Sequence, residues 1–490
     1  MGIVKLVIRD EVNIKIEGLD VEARRKLANT FKYEVGYARY HPAYKLGRWD
    51  GTVSLFGLGG NGYLSQLEKI MEVLKSLRIS IEEVEDLRRP HKLNFTKITD
   101  RYWADQGKIW PEGHRFAGEP IMLREDQVEI VNKFLENPQA LQEVATGAGK
   151  TIMTATLAQL CEPIGRTIII VPNKDLVTQT EEDFINVNLD VGVYYGDRKM
   201  LNKTHTICTW QSLNILDKKS KNATEEDILT LAEFLDGVET VIVDEVHMAK
   251  AEVLKNLLTQ NLCNAPIRWG LTGTVPKDPA EHEPIFASIG PVVGGIKAHE
   301  LQEMGVLSNC HVNVVQMIDV KEFRSYADEL KYLVTDSARL EYIAKLISSI
   351  SESGNTLVLV NRIDTGKQLI ELIPDSTFIS GEVKGTKRKE EYKEHAVNDN
   401  KITVATFGVA AVGINIPRIF NLVLLEPGKS FVRVIQSIGR GIRKAEDKDF
   451  VQIWDLTSTC KYAKRHLTER KKFYKDAKYP FTITKTDWQK

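Results

Sequence analysis

The chain has 490 residues, with 66 lysines and arginines against 67 aspartates and glutamates, and 42% of its residues are hydrophobic. This composition is typical of a globular protein of several domains, and its balanced charge does not by itself indicate a nucleic-acid partner. The five cysteines include no pair at CxxC spacing, which argues against a zinc ribbon and a disulfide framework. No run approaches the roughly 20 apolar residues of a membrane span, and no signal pattern opens the chain, so we expect a cytoplasmic protein with no membrane contact.

The first 90 residues predict a small α+β domain. Apolar residues alternate with polar ones over 3–16, which is typical of a hairpin of two half-buried strands. A polar stretch punctuated by proline and glycine follows, and we interpret 91–120 as a linker. Further helices are predicted at 21–31 and 64–77, and further strands at 52–56 and 79–84.

From residue 121 onward, helical segments alternate with short apolar strands. Strands that alternate with helices form parallel sheets covered on both faces, so we predict two tandem α/β domains, at 121–312 and 313–460. The last segment, 461–490, carries ten lysines and arginines against three acids. It predicts a basic C-terminal helix or tail, either solvated or in contact with phosphates. The strands of the two domains are predicted at 167–171, 206–209, 240–243 and 268–272, and at 356–360, 376–379, 402–405, 421–425 and 450–454.

A glycine-rich turn with the sequence ATGAGKT, residues 145–151, separates a predicted strand from a predicted helix. Such a turn lets successive N–H groups approach an anion, and the helix N-terminus adds its positive dipole. The lysine can reach the outer phosphates of a nucleotide, and the threonine hydroxyl can ligate Mg²⁺. Val144 stands where the strict P-loop pattern has glycine. We predict that the nucleotide contacts Thr146, Gly147, Ala148, Gly149, Lys150 and Thr151.

Two carboxylates, Asp244 and Glu245, follow the apolar strand predicted at 240–243. The carboxyl end of a strand in an open parallel sheet is where ligands bind. We therefore predict that Asp244 holds Mg²⁺ and that Glu245 orients the attacking water or accepts its proton. His247 has no partner at metal-ligand spacing, which favours a coupling role.

The Asp-Glu-x-His sequence and the glycine-rich turn resemble motifs II and I of the superfamily-two, DExH-type helicases and translocases. The other motifs of that family appear in the same order along 121–460. Asn415 stands where many relatives have aspartate. The matching residues are Arg124 and Gln127 in the Q motif, Pro172 and Asn173 in motif Ia, Thr209, Trp210 and Gln211 in the next strand-contacting motif, Thr272 and Thr274 in motif III, Thr406, Gly413 and Asn415 in motif V, and Gln436, Arg440 and Arg443 in motif VI.

This resemblance implies two RecA-like domains that bind ATP and Mg²⁺ and move along nucleic acid. Arginines in motif VI would stabilise the negative charge that develops on the γ-phosphoryl group. The resemblance assigns catalysis to Lys150, Asp244, Glu245, Gln436, Arg440 and Arg443, metal binding to Thr151 and Asp244, and coupling to His247, Thr272 and Thr274. It adds Arg124, Gln127, Gly413 and Asn415 to the nucleotide contacts, and it assigns nucleic-acid contacts to Pro172, Asn173, Thr209, Trp210, Gln211 and Thr406.

The N-terminal segment indicates which group of helicases within this family the chain resembles. Aromatic residues alternate with cations over 31–49, and this combination suits stacking on bases and pairing with phosphates. The turn at 47–51, Gly-Arg-Trp-Asp-Gly, precedes an apolar strand as in the UvsW-type helicases of bacteriophages. That similarity implies unwinding or branch migration of forks, Holliday junctions, D-loops and R-loops in recombination, repair and replication, within the host cytoplasm. Arg48 and Trp49 are predicted DNA contacts.

Three other functions remain open from the sequence. The chain could be a duplex-DNA translocase of a restriction-like system, an RNA helicase, or an ATP-gated clamp that binds junctions. RNA in hybrids and a single-strand-binding protein also stay open as partners. The motifs do not distinguish RNA from DNA, because contacts to phosphates carry no sequence information.

Overall fold

The structure is a computed structural model that describes residues 3–36, 38–112, 114, 116–222, 229–248, 251–381, 390–391, 394, 398–410, 418–429, 438–439 and 447–490. The chain divides into two compact units. Met1–Val144 and Gly149–Gly295 form the first unit, and Ala145–Ala148 and Ile296–Lys490 form the second. Across the described ranges, each helix is too short or too polar to cross a bilayer.

Residues 3–88, here called the N-terminal domain, form a four-stranded sheet with helices and a two-stranded ribbon. Its strands are β1 (Lys5–Ile8), β2 (Asn13–Glu17), β3 (Lys32–Glu34), β4 (Thr52–Ser54), β5 (Asn61–Tyr63) and β6 (Glu83–Asp86), and its helices are α1 (Val21–Thr30), α2 (Pro42–Lys45) and α3 (Leu67–Ser76). The sheet order is β5–β2–β1–β6, and β3 pairs with β4.

The alternating pattern of 3–16 forms the predicted hairpin. The register pairs Leu6 with Ile16 and Ile8 with Ile14, so these apolar side chains share the buried face. The sheet is closed by β6 at 83–86, a few residues after the strand predicted at 79–84. These features confirm the predicted small α+β domain.

The first unit continues with an eight-stranded sheet in the order β10–β9–β11–β8–β12–β13–β7–β14. The neighbours β9, β11, β8, β12, β13 and β7 are parallel, whereas β10 is antiparallel to β9. Its strands are β7 (Gln139–Val144), β8 (Arg166–Val171), β9 (Val191–Tyr195), β10 (Arg198–Lys199), β11 (His205–Thr209), β12 (Val238–Asp244), β13 (Ile267–Thr272) and β14 (Val292–Ile296). The helices are α4 (Glu125–Glu136), α5 (Lys150–Cys161), α6 (Lys174–Asn186), α7 (Trp210–Asn222), α8 (Leu231–Phe234), α9 (Ala251–Asn256) and α10 (Pro279–Ser288), and a π-helical turn, Leu257–Asn261, follows α9.

The stretch at 91–120, predicted as a linker, packs on this sheet domain. Trp103 is fully buried, and its indole N–H donates to Thr156 Oγ1 of α5 at 2.9 Å. The Ile98 N–H donates to Asn132 Oδ1 of α4 at 2.8 Å. A few large apolar side chains are enough to anchor a polar segment to a domain. The polar composition of 91–120 therefore does not reveal that the segment is packed.

The second unit contains a seven-stranded sheet in the order β17–β18–β16–β19–β20–β15–β21, with every neighbouring pair parallel. The two helix-flanked parallel sheets confirm the predicted tandem α/β class. The strands are β15 (Asn309–Met317), β16 (Thr356–Val360), β17 (Thr377–Ile379), β18 (Ile402–Thr406), β19 (Asn421–Leu425), β20 (Phe450–Ser458) and β21 (Phe481–Thr486). The helices are α11 (Ala298–Glu303), α12 (Tyr326–Thr335), α13 (Ser337–Ser351), α14 (Ile363–Leu372), α15 (Phe407–Ala410) and α16 (Lys461–Asp476).

The second sheet extends past the predicted boundary at residue 460, so the basic segment 461–490 is not a free tail. Strand β21 pairs with β15, and α16 buries Leu467, Arg470 and Tyr474. The Arg470 guanidinium donates to both carboxylate oxygens of Asp455 on β20, at 2.8 Å each. The high charge of α16 therefore lies on its outer face, while an ion pair and apolar residues occupy its inner face.

Candidate active site

The order of strands brings three sequence motifs to one edge of the first sheet. Strand β13 lies between β7 and β12, and all three run parallel. The glycine-rich turn follows β7, the acidic pair lies at the end of β12, and Thr272 ends β13. Parallel strands have their carboxyl ends at the same edge, so the three motifs lie together there.

The glycine-rich turn requires glycine at position 149. Gly149 has a φ of +83°, and a Cβ placed there would lie 2.5 Å from Nε2 of Gln127. Gln127, a predicted nucleotide contact, is therefore packed against the phosphate turn. Its Oε1 accepts the backbone N–H of Arg124 at 3.0 Å, and the Arg124 guanidinium pairs with both oxygens of Asp126.

Lys150 and Glu245 are in direct contact. Lys150 Nζ donates to Glu245 Oε1 at 2.6 Å, and both side chains are about 10% exposed. Glu245 has a left-handed backbone conformation, with a φ of +50°, which is uncommon for a residue with a side chain. The lysine predicted to hold phosphates is thus paired with the predicted catalytic carboxylate.

Burial and this ion pair separate the pKa values of the two adjacent acids. Burial raises the pKa of Asp244 to about 6, against the opposing effect of the Lys150 ammonium. Burial also opposes ionisation of Glu245, but Lys150, His247 and the Gly273 N–H outweigh it and lower the pKa of Glu245 to about 2. Glu245 is therefore ionised at neutral pH, as a residue that orients or deprotonates water must be.

The predicted coupling residues form a chain of contacts from Glu245 to the end of β13. Glu245 Oε2 accepts the Gly273 N–H at 3.3 Å and lies 3.6 Å from His247 Nδ1. His247 Nδ1 is 2.5 Å from the Thr272 hydroxyl oxygen, and that hydroxyl donates to the Thr274 carbonyl at 2.8 Å. These contacts connect the Glu245 carboxylate to the segment that leaves β13.

The donor set fits a magnesium ion bound together with nucleotide phosphates. Mg²⁺ usually takes one or two carboxylates, with phosphate and water oxygens as its other ligands. Asp244 supplies a carboxylate and Thr151 a hydroxyl, both hard oxygen donors at the same strand edge. Within the described ranges, no cluster of three or more His, Cys, Asp and Glu side chains offers a metal site of its own.

Asp183 is a residue at this site that the sequence analysis missed. It lies on α6, which packs beside α5, and the Thr151 side chain lies near enough to its carboxylate to favour the ionised form. Burial raises the pKa of Asp183 to about 6, and the Thr151 side chain acts against that effect. Asp183 is therefore a candidate to orient the Thr151 hydroxyl, since a hydroxyl that donates to a carboxylate keeps its lone pairs for another partner. No sequence signal marks an aspartate in the middle of a helix for this role.

The predicted nucleic-acid residues of the first sheet lie at the ends of two neighbouring strands. Gln211 Nε2 donates to the Pro172 carbonyl at 3.1 Å, which joins the segments after β8 and β11. Asn173 is the N-cap of α6, and its side chain accepts the Leu176 N–H at 3.0 Å. The Thr209 hydroxyl lies 2.8 Å from that of Ser212. Trp210 begins α7, and its buried indole N–H has no acceptor in the part of the chain that the structure describes.

The other predicted nucleic-acid residues are distributed over both units. Thr406 ends β18 in the second sheet. Arg48 is exposed in the N-terminal domain, whereas Trp49 is half-buried, donates to the Thr52 carbonyl at 2.6 Å and contacts the His41 ring. The remaining predicted site residues lie outside the described residues, and their roles stay predictions: Gly413, Asn415, Gln436, Arg440 and Arg443.

Comparison with known protein families agrees with this arrangement. Residues 120–277 match the family model for the res subunit of type III restriction enzymes, and residues 338–445 match that for the helicase conserved C-terminal domain. The chain belongs to the superfamily-two helicases, with two RecA-like domains in tandem, and it is an ATP-dependent helicase. Members of this family use ATP and bind nucleic acid.

Individual relatives refine the comparison. The chain is 25% identical over 499 residues to the ATP-dependent DNA helicase uvsW of Enterobacteria phage T4, covering 96% of this chain and 93% of that protein. It is also 25% identical over 346 residues to a putative DNA 3'-5' helicase, Rad25, of Haloarcula marismortui, covering 68% of this chain and 52% of that protein. These relatives support a DNA helicase or translocase. A fragment of a putative HsdR subunit of a type I restriction enzyme from Vibrio vulnificus has the same fold, with 15% identity and a TM-score of 0.56 over 97% of this chain and 85% of that one.

Proposed function

We propose that the chain uses ATP and Mg²⁺ to unwind or branch-migrate branched DNA, including forks, Holliday junctions, D-loops and R-loops. The processes it would serve are recombination, repair and replication. One observation carries the proposal: the similarity to the phage T4 DNA helicase includes the N-terminal domain, which lies outside both matched family models. This domain presents aromatic and cationic side chains and belongs to the same unit as Lys150, Asp244 and Glu245.

Hydrogen bonds and apolar packing join the N-terminal domain to the first sheet domain. The Glu11 N–H donates to the Cys263 carbonyl at 3.0 Å, and Asn13 Nδ2 donates to the Thr259 carbonyl at 2.8 Å. Ala287 of α10 is buried in the core of the N-terminal domain. DNA held by the N-terminal domain would therefore be held by the body that carries Lys150 and Glu245.

The residues of the active site have separate tasks in this proposal. Lys150 releases Glu245 and pairs with the outer phosphates, and Glu245 then takes a proton from the attacking water. Thr151 and Asp244 would hold Mg²⁺, which when bound neutralises charge on the phosphates. His247 and Thr272 pass the change at Glu245 to the segment after β13.

The first test compares ATP hydrolysis and strand release on a linear duplex, a single strand and a four-way junction of matched length. Branched-DNA action predicts the strongest ATPase stimulation on the junction, with release of its arms. Stimulation by plain duplex without strand release would instead indicate a duplex translocase. Stimulation by RNA alone would overturn the DNA assignment, and ATP-dependent junction binding without turnover would indicate an ATP-gated clamp.

A second prediction tests the N-terminal domain. The double variant Arg48→Ala, Trp49→Ala is expected to weaken fork binding by about tenfold, because one cation and one stacking surface are lost. DNA-independent ATP hydrolysis should change little, since the Trp49 contacts with Thr52 and His41 lie within the N-terminal domain. Binding is measured by fluorescence anisotropy with a labelled fork.

The matched control for this experiment is Arg25→Ala, which removes an exposed arginine from α1 of the same domain. Arg48→Ala alone keeps the Trp49 packing and separates charge loss from any disturbance of the ribbon. Unchanged fork affinity in the folded double variant would contradict a role for this surface in DNA binding.

A further inference from the structure

A cavity of about 810 Å³ lies between the β3–β4 ribbon of the N-terminal domain and the beginning of α10. Tyr33, Glu34 and Tyr44 line it from the N-terminal domain, and Asp278 and Pro279 line it from the sheet domain. None of the predicted ATPase residues that the structure describes lines this cavity. Its size is within the range of about 300–1,000 Å³ that is typical of sites for small organic groups.

The aromatic wall of the cavity is held in place by the ribbon backbone. Gly51 has a φ of +80°, and a Cβ there would lie 2.9 Å from both Ala38 Cβ and Tyr44 Cε2. The Gly51 carbonyl accepts the Val35 N–H at 2.9 Å, which fixes the turn. The Tyr44 ring thus packs directly on the glycine backbone, and it keeps 42% of its surface exposed.

The charges of the lining favour an uncharged ring with amino groups over a phosphate. Among the described residues, three cations line the cavity, and one of them, Lys32, is paired with Asp50 at 2.5 Å. The four carboxylates in this described lining outnumber the cations and would repel a phosphate. The lining cations are Lys32, Arg39 and Lys69, and the lining carboxylates are Glu34, Asp50, Asp278 and Glu283.

Two of these four carboxylates already form hydrogen bonds within the protein. Asp50 pairs with Lys32 and accepts the Thr52 hydroxyl at 2.6 Å. Asp278 is the N-cap of α10 and accepts the Ala280 N–H at 2.9 Å. Glu34 lies at the end of β3 in the N-terminal domain. Its carboxylate can accept a hydrogen bond from an amino group of a molecule bound in the cavity.

We propose that this cavity receives one unpaired nucleobase of the DNA substrate. The base stacks on Tyr44, its exocyclic amino group donates to Glu34, and its phosphates remain outside near the exposed Lys45 and Arg48. Cytosine, adenine and guanine carry such an amino group and thymine does not, so the site favours the first three. This inference rests on the proposed function, because a branch supplies unpaired bases.

The test uses the full chain and forks in which a single abasic residue is moved along the single-stranded arm. We expect one position at which loss of the base weakens binding by about tenfold, the effect of losing one stacked base. Thymine at that position should bind more weakly than cytosine. Tyr44→Ala should remove the positional effect, whereas Tyr40→Ala, a tyrosine on the same loop outside the cavity lining, should retain it.

The thermal unfolding midpoint shows whether Tyr44→Ala folds, and Glu34→Ala supplies a second variant. Glu34→Ala should abolish the preference for cytosine over thymine and keep the abasic effect. Equal binding at every abasic position, or a positional effect that persists in Tyr44→Ala, would overturn the proposal. If the chain prefers forks but binds equally at every abasic position, only the cavity site is overturned. If a positional effect appears on single strands and the chain shows no preference for forks, only the proposed function is overturned.

Discussion

DNA-stimulated ATP hydrolysis is expected to fall at least about a hundredfold in both Lys150→Ala and Glu245→Gln, a typical loss for a positioned charge or general base. The two variants should fail at different steps. Lys150→Ala removes the cation that meets the outer phosphates, so it should also weaken ATP binding. Glu245→Gln keeps that cation and should bind ATP without turnover. Steady-state turnover and equilibrium binding of a labelled nucleotide distinguish the two results.

The two variants are also expected to differ in how far they lower stability. Lys150→Ala leaves Asp244 and Glu245, two buried carboxylates, without the ammonium that lies 2.6 Å from Glu245, so its unfolding temperature should fall. Glu245→Gln removes one of the two adjacent negative charges and should lower the unfolding temperature less. Lys203→Ala and Glu162→Gln, on the same sheet domain away from the motifs, are matched controls that should keep turnover. Near-normal turnover in Lys150→Ala or Glu245→Gln would contradict the site assignment.

Arg470→Met is expected to destabilise the second unit by about 3–5 kcal/mol, because it leaves a buried carboxylate without its cation. Arg470 and Asp455 are both fully buried, and Tyr474 also donates to Asp455, at 2.8 Å. Arg470 Nη1 further donates to the Gly428 carbonyl at 2.7 Å, so the variant also frees the segment after β19. Urea unfolding, followed by hydrogen exchange at amides of β20 and β15, measures the loss.

A control variant separates the effect of losing the buried ion pair from the effect of lowering the charge of α16. Lys472→Met removes an exposed cation two residues away on the same helix, and it should change the free energy of unfolding by less than about 0.5 kcal/mol. Adding Asp455→Asn to Arg470→Met removes the uncompensated charge and should restore part of the stability. Equal stability of Arg470→Met and Lys472→Met would mean that α16 is not anchored through this ion pair.

The sequence by itself determined where the phosphate-binding turn and the acidic pair lie along the chain. The turn at 145–151 and the acidic pair at 244–245 were predicted because their function depends on residues adjacent in the chain, at the end of an apolar strand. Continuous apolar runs placed most strands of both sheets to within a few residues, since burial on both faces of a parallel sheet demands such runs. The family and its ATP dependence follow from these local signals, and the comparisons confirm them.

Only the tertiary structure decided which of these elements meet. Strand β13 lies between β7 and β12, which is what brings Lys150 to Glu245 across 95 positions of sequence. Asp183 meets Thr151 because α6 packs beside α5, and Arg470 is buried because α16 lies on β20. Periodicity and turn chemistry act over a few residues, whereas strand order and the burial of a charge depend on partners far along the chain. The cavity between the N-terminal domain and α10 exists for the same reason, because its walls come from segments more than 200 residues apart.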